Sequence, residues 1–351
     1  MKKALSIWAA TALAGAFLAS CKKADVSPFE GDSPTGTIAI EITGEGGFTK
    51  AVDTSSGGNE AVVNSVQLLV FNGDGSLERY LDLGATTSVN TEVTVGPKHI
   101  WAILNGPDAS SILTEGELAE LDIALGSYNS TSSDFVMAGT GSCVVNEGQR
   151  SECSITASRF VSRISLVKVE NQLSAAFGSI TLESVWLSNV VGNQKISGTA
   201  AHSVWYNRMG RADETPAVAG HIIDGTTYTP SCGDLTFASL SGLQPIAKGA
   251  SYTGAKRLYC YPNTTANDVT GFSTSFSPRF TRMIVAARIR GALYYYPVVV
   301  EQPGRNKAYE VSLTIVGLGS TDPDTPVEKG SIVVTVDVSA WGSGVSINEN
   351  I

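Results

Sequence analysis

The chain has 351 residues, 42 % of them hydrophobic and 16 % charged, with a formal net charge of −9. So much apolar material can bury large cores, and the length exceeds one ordinary core, so two domains are expected. No basic stripe is present to neutralise phosphates, which excludes nucleic acid as a partner.

The first element is an export signal: Lys2 and Lys3 lead into an apolar stretch from Ala4 to Ala19. The stretch is shorter than the roughly 20 residues that a membrane-spanning helix needs. Leu18-Ala19-Ser20-Cys21 places small residues before a cysteine, the junction that bacterial lipoprotein signal peptidase reads. Cys21 is then the lipidated first residue of the mature chain; the other reading is an uncleaved anchor with an incidental cysteine. Acyl chains contribute about 0.8 kcal/mol per buried CH₂, enough together for stable attachment. A body without a further spanning run is therefore expected outside the cytoplasm, held by its lipid.

Short alternating runs bounded by Gly, Asn, Asp and Pro then recur to the end, the pattern of an all-β chain. In "TIAIEIT" (37–43) Ile38, Ile40 and Ile42 share one face. "VQLLVFN" (66–72) reads as a buried strand ending in the turn "NGDGS", which lacks the frame of a calcium loop. "TEVTV" and "HIWAILN" read as a hairpin about Gly96-Pro97-Lys98, and "TEGELAELDIA" (114–124) as a short helix opened by a Thr cap with Glu three residues on. The strand pattern resumes in "DFVMAGT", "SCVVN" and "SECSITA". "SRFVSRISLVKVE" (158–170) reads as one long strand, with a domain boundary near Ser158. Two strands surround Arg290-Gly291, and "KAYEVSLTIVG" and "GSIVVTVDVSAW" close the chain across an acidic, Pro-containing loop. No exact internal repeat is present, although both halves read as sandwiches.

Cys143, Cys153, Cys232 and Cys260 follow Cys21, an even number that suggests disulfides in an exported chain. A cross-hairpin bond Cys143–Cys153 is the simplest, leaving Cys232 to pair with Cys260. The spacings lack the close cysteine pair of a zinc knuckle, so no metal is expected. His99, His202 and His221 fall in no metalloprotease frame, and no nucleophile elbow, phosphate loop or dinucleotide fingerprint occurs. No cofactor is expected, and the chain reads as a non-enzyme; acidic pairs for hydrolysis are defined in space and escape a sequence.

Taken in order, several segments resemble the lipoprotein-precursor fimbrillins, the subunits of type V pili in the Bacteroidia. They are "LASC", "TIAIEIT", "FTKA" (48–51), "VNSVQLLVFNGDGSLE", "HIWAILN", "ASRFVSRISLVKV" and "GSIVVTVDVSAW". The resemblance implies two tandem Greek-key β-sandwiches of transthyretin-like topology in a lipidated precursor carried to the outer membrane surface. It also implies a protease cut after a basic residue behind the first strand, here after Lys50 and before Ala51; many relatives carry Arg there. The division is then 1–20 leader, 21–50 lipidated pro-segment with the first strand, 51–158 N-terminal sandwich and 159–351 C-terminal sandwich, with a donor-strand candidate at 331–341.

Losing an apolar-faced strand opens a groove that another strand can fill. Ile332, Val334, Val336 and Val338 repeat the spacing of Ile38, Ile40 and Ile42. Because Cys21 and the first strand lie on the same side of Lys50, one cut both frees the subunit from its lipid and opens the groove. The expected partners are other copies of the chain, other fimbrial subunits, the outer membrane through the precursor's lipid, and the processing protease. The expected role is a stalk subunit of an adhesive surface fimbria. The alternatives are a tip or anchor subunit, or a glycan-binding surface lipoprotein using Trp205-Tyr206 or Tyr294-Tyr295-Tyr296 as stacking platforms.

Overall fold

A computed structural model describes residues 33–45, 60–128, 134–199, 204–207, 232–266, 279–323, 325–328, 330–341 and 347–350. The first half holds β1 (Thr35–Gly44), β2 (Val66–Asn72), β3 (Leu77–Asp82), β4 (Ser88–Thr94), β5 (Gly96–Leu104), α1 (Glu115–Ala119), β6 (Asp122–Ala124), α2 (Leu125–Tyr128), β7 (Met137–Val145) and β8 (Arg150–Arg159). The second half holds β9 (Ser162–Asn171), β10 (Ile180–Ser188), β11 (Val190–Val191), β12 (Asn193–Lys195), β13 (Trp205–Tyr206), β14 (Phe237–Ser239), β15 (Ser251–Cys260), β16 (Thr281–Ile289), β17 (Ala292–Val300), β18 (Lys307–Ile315), β19 (Ile332–Ala340) and β20 (Ile347–Asn350). The fold is all-β, as the alternating runs predict.

In the first half one seven-stranded sheet, ordered β3-β2-β5-β7-β8-β1-β4, bends over on itself. The bend lies between β7 and β8, which pair only at Met137↔Arg159 and Ala138↔Ser158. There the strands cross so closely that a Cβ on Gly139 would come within 2.3 Å of the Thr156 carbonyl oxygen, so the position demands glycine. Inside the bend, Ile38, Ile40 and Ile42 of β1 pack with Val66, Leu68 and Val70 of β2, Ile100, Ala102 and Leu104 of β5, and Ile155 of β8.

The second half faces a four-stranded sheet, β14-β10-β16-β17, with a five-stranded one, β15-β9-β18-β19-β20. Its pairing repeats that of the first half strand for strand. The first strand, β1 or β9, lies between an antiparallel neighbour, β4 or β15, and a parallel one, β8 or β18. The opposite layer runs β3-β2-β5-β7 in one half and β14-β10-β16-β17 in the other. Relative to this shared plan β19 and β20 are additions, laid on the free side of β18. The sequence shows no such repeat because pairing order is conserved by topology and not by residue identity.

Three local expectations change, and a fourth holds. β4 and β5 do not form a hairpin: β4 pairs with β1, while β5 pairs with β2 and β7 in the other layer. The chain steps across at Val95, whose amide bonds the Pro34 carbonyl, and Gly96 takes φ 117 to allow it. α1 has the expected Thr114 cap and Glu117 capping box but ends after Ala119, because residues 122–124 pair as β6 with β12 of the second half. The long strand from Ser158 breaks at Phe160-Val161, where the chain passes from β8 to β9. Arg290 and Gly291, both at positive φ, make the expected tight turn between β16 and β17.

The expected disulfides are not formed: Cys143, Cys153, Cys232 and Cys260 are free thiols. β7 and β8 separate beyond their two paired positions, so Cys143 lies opposite Lys98 on β5 and Cys153 opposite Ile40 on β1. The two thiols touch as hydrogen-bond partners without a bond. Cys260 is enclosed in the core on β15, whereas Cys232 is half-buried next to Gly126.

Candidate assembly site

β1 forms through strict alternation. Ile38, Ile40 and Ile42 are 0–2 % exposed, while Glu41 and Thr43 face outward. Its backbone is satisfied on both sides, by β4 from Thr35↔Thr94 to Glu41↔Ser88 and by β8 from Thr37↔Arg150 to Gly44↔Ala157. Burying three isoleucines at about 1.5–3 kcal/mol each makes β1 worth roughly 5–9 kcal/mol in apolar burial, comparable with the whole stability of a domain. Removing it would leave β4 and β8 a strand's width apart with unpaired amides facing one another.

β19 is nine residues long against ten in β1. It pairs antiparallel with β18 from Lys307↔Ala340 to Ile315↔Ile332. Its side chains are less enclosed than those of β1: Val336 is buried, Ile332, Val334 and Val338 are partly buried against the core, and Val333 is 59 % exposed. The two expected strands thus lie in different halves, one interior to its sheet and one appended to its sheet. Cys21, Lys50 and Ala51 lie outside the described residues, as do His202 and His221.

A polar hub that the sequence does not announce joins the halves. Glu60, the first described residue after the segment containing Lys50, is 5 % exposed. Its carboxylate accepts from Arg163 Nη1 at 2.6 Å, Tyr259 Oη at 2.7 Å and Trp341 Nε1 at 3.1 Å, with Arg257 Nη1 at 3.4 Å. Burial and the Glu60 charge push the Tyr259 phenol far up. Trp341 stacks on Tyr259 at 17° and lies beneath the guanidinium groups of Arg159 and Arg163, each 5.0 Å from its ring centre. Arg305 adds a second tie, donating to the carbonyls of Ala138, Ser158 and Arg159 from a position over the Phe160 ring. Burial lowers its pKa to about 10. Glu60 sits in a Gly- and Asn-rich stretch with no periodicity, so nothing in the sequence marks it as buried.

A second polar group closes one end of the first sandwich. Lys98, 1 % exposed, reaches Asn72, Glu78 and Thr94. It lies on β5 and not in the turn expected there, and the period of two puts it on the inward face with Ile100, Ala102 and Leu104.

The aromatic residues considered for sugar stacking are not an open platform. Trp205 and Tyr296 are buried, and Tyr295 meets Trp186 edge to face at 5.8 Å. Among the described residues no group of His, Cys, Asp and Glu could hold a metal ion.

No protein-family model matches the chain. No curated protein resembles it in sequence. Solved structures do resemble it in shape. A fimbrilin of Porphyromonas gingivalis superposes with a TM-score of 0.61 at 15 % identity, covering 87 % of this chain and 97 % of that one. Candidate cell adhesion proteins of Parabacteroides distasonis and Bacteroides eggerthii give 0.60 at 16 % and 17 % identity, covering 88 % of this chain and 100 % and 97 % of theirs. The chain therefore has the two-sandwich fold of these fimbrial and adhesion proteins across almost their entire length.

Proposed function

We propose that the protein is a structural subunit of a cell-surface fimbria, in the role of a stalk subunit, that polymerises by donor-strand exchange. The observation that carries this reading is the contrast between its two strands. β1 occupies an interior slot of its sheet directly before the segment that holds Lys50-Ala51, whereas β19 is surplus to the pairing plan that the halves share. Cleavage after Lys50 removes β1 together with lipidated Cys21, and β19 of a neighbouring copy fills the slot between β4 and β8. Its apolar face, Ile332, Val334, Val336 and Val338, replaces Ile38, Ile40 and Ile42.

The energetics favour this order of events. A processed subunit without β1 loses burial comparable with its domain's stability, so it gains by accepting a strand. β19 has half-buried side chains and no counterpart in the repeated plan, so its release costs the second sandwich less than the first gains. Until the cut, β1 blocks the slot and the lipid holds the precursor at the outer membrane surface.

Surface filaments isolated from cells making the protein, with the subunit's N-terminus read by mass spectrometry, test the proposal. A start at Ala51 is expected. A start at lipidated Cys21, with no ladder of heat-labile multimers, would overturn the stalk assignment in favour of an anchor subunit.

A further inference from the structure

We propose that Lys98 and Asn72 become joined by an intramolecular isopeptide bond between β5 and β2, with Glu78 carrying the protons. Lysine is almost never fully buried without partners, and the three that Lys98 has suit a condensation. Asn72 stands directly opposite it in the β2–β5 register. Lys98 Nζ donates to Asn72 Oδ1 at 2.6 Å and to Thr94 Oγ1 at 2.8 Å, and it contacts Glu78 Oε2. The Glu78 side chain is itself 4 % exposed, and its other oxygen accepts the Thr94 backbone amide, which fixes the carboxylate against the amine.

The amide orientation is also fixed. Asn72 Nδ2 donates to Ser76 Oγ at 3.2 Å, and that hydroxyl donates to Asp74 at 2.6 Å, so the carbonyl side of Asn72 is presented to Nζ. A buried amine and carboxylate with an amide carbon held beside them have the high effective concentration and the adjacent base that acyl transfer requires.

The step balances without an outside reagent. Glu78 takes a proton from the Lys98 ammonium, and the freed Nζ lone pair attacks Asn72 Cγ. The Cγ–Nδ2 bond breaks as Glu78 returns the proton to Nδ2. With the second proton that Nζ gives up, nitrogen leaves as ammonium, and a secondary amide remains. Asn72 is half-buried at the end of β2, which opens a way out for the leaving group. The product is a covalent tie across two strands of the sandwich, independent of whether the chain forms filaments.

Intact-mass measurement and tryptic mapping of the purified full-length protein test this. The expected result is a chain lighter by one ammonia, with trypsin failing to cut after Lys98 and a branched peptide joining Lys98 to Asn72. The Glu78→Gln chain is expected to have the unmodified mass and a linear map. Full mass with an unlinked Lys98 peptide in the wild-type protein would overturn the proposal. So would an ammonia loss without a branched peptide, because Asn72-Gly73 can lose ammonia alone as a succinimide. A cross-link that persists in Glu78→Gln would overturn the role of Glu78.

Discussion

Burial, more than any neighbouring charge, sets the chemistry of the cysteines. It pushes the Cys153 thiol up to about 11 and those of Cys232 and Cys260 up to about 12. Only the thiolate attacks a disulfide reagent, so at about pH 8 the native protein is expected to label slowly at these positions and at once when unfolded. Rapid native labelling of Cys260, located by peptide mapping, would contradict its enclosure. The same shifts carry a stability consequence of definite sign. A folded-state pKa above the ordinary thiol value of 9.0 means that the native protein holds these protons more tightly than the unfolded chain does. Stability from this source is complete below about pH 9 and is lost as the pH rises through about 11 to 12. The urea midpoint is therefore expected to fall between about pH 8 and about pH 10.5, and a rise over that interval would refute the assignment.

Strands answer for different things according to where they sit in a sheet. β1 is interior, so Ile40→Ala leaves a cavity among Cys153, Ile155 and the facing layer and is expected to cost about 2–5 kcal/mol. Val333→Ala on the exposed side of β19 is expected to change stability by less than about 0.5 kcal/mol. Chemical denaturation of the uncleaved protein checks both. Val334→Asp separates assembly from folding. Val334 is only partly buried in its own subunit, so the precursor is expected to fold, yet a buried charge in the slot of a neighbour is expected to abolish the multimer ladder. Wild-type polymerisation by this variant would remove β19 from the donor role. Alternation placed most of the long strands in advance, β3 and β15 excepted, because it reports which residues face inward. It does not report which layer a strand joins, and for that reason β4 and β5 looked like a hairpin. The inward faces of β1 and β19 were likewise readable, whereas Lys98 read as part of a turn because the break between β4 and β5 looked like a hairpin. The duplicated pairing plan was not readable, since it resides in hydrogen bonds between segments far apart in the chain.

At the level of the whole molecule, Glu60 brings together parts that the proposed assembly must separate. It follows the segment containing Lys50, it anchors Arg163 and Tyr259 of the second sandwich, and it receives the indole of Trp341, the residue directly after β19. β19 is thus pinned at its end to a residue that the proposed cut after Lys50 leaves in the mature subunit. Glu60→Ala leaves Arg163 and Arg257, both largely buried, without their carboxylate, and it is expected to cost about 3 kcal/mol. The location of the loss is more informative than its size. If the hub holds β19 in place, Glu60→Ala makes the chain near Trp341 open to added protease while Ile40 and the rest of β1 stay protected in hydrogen exchange. If protection is lost evenly over both sandwiches, Glu60 acts as ordinary interface packing and β19 is held by its pairing to β18 and β20. Local opening is the expected outcome, because β19 and β20 lie outside the pairing plan that the two halves share, and Trp341 is the buried side chain at the end of β19.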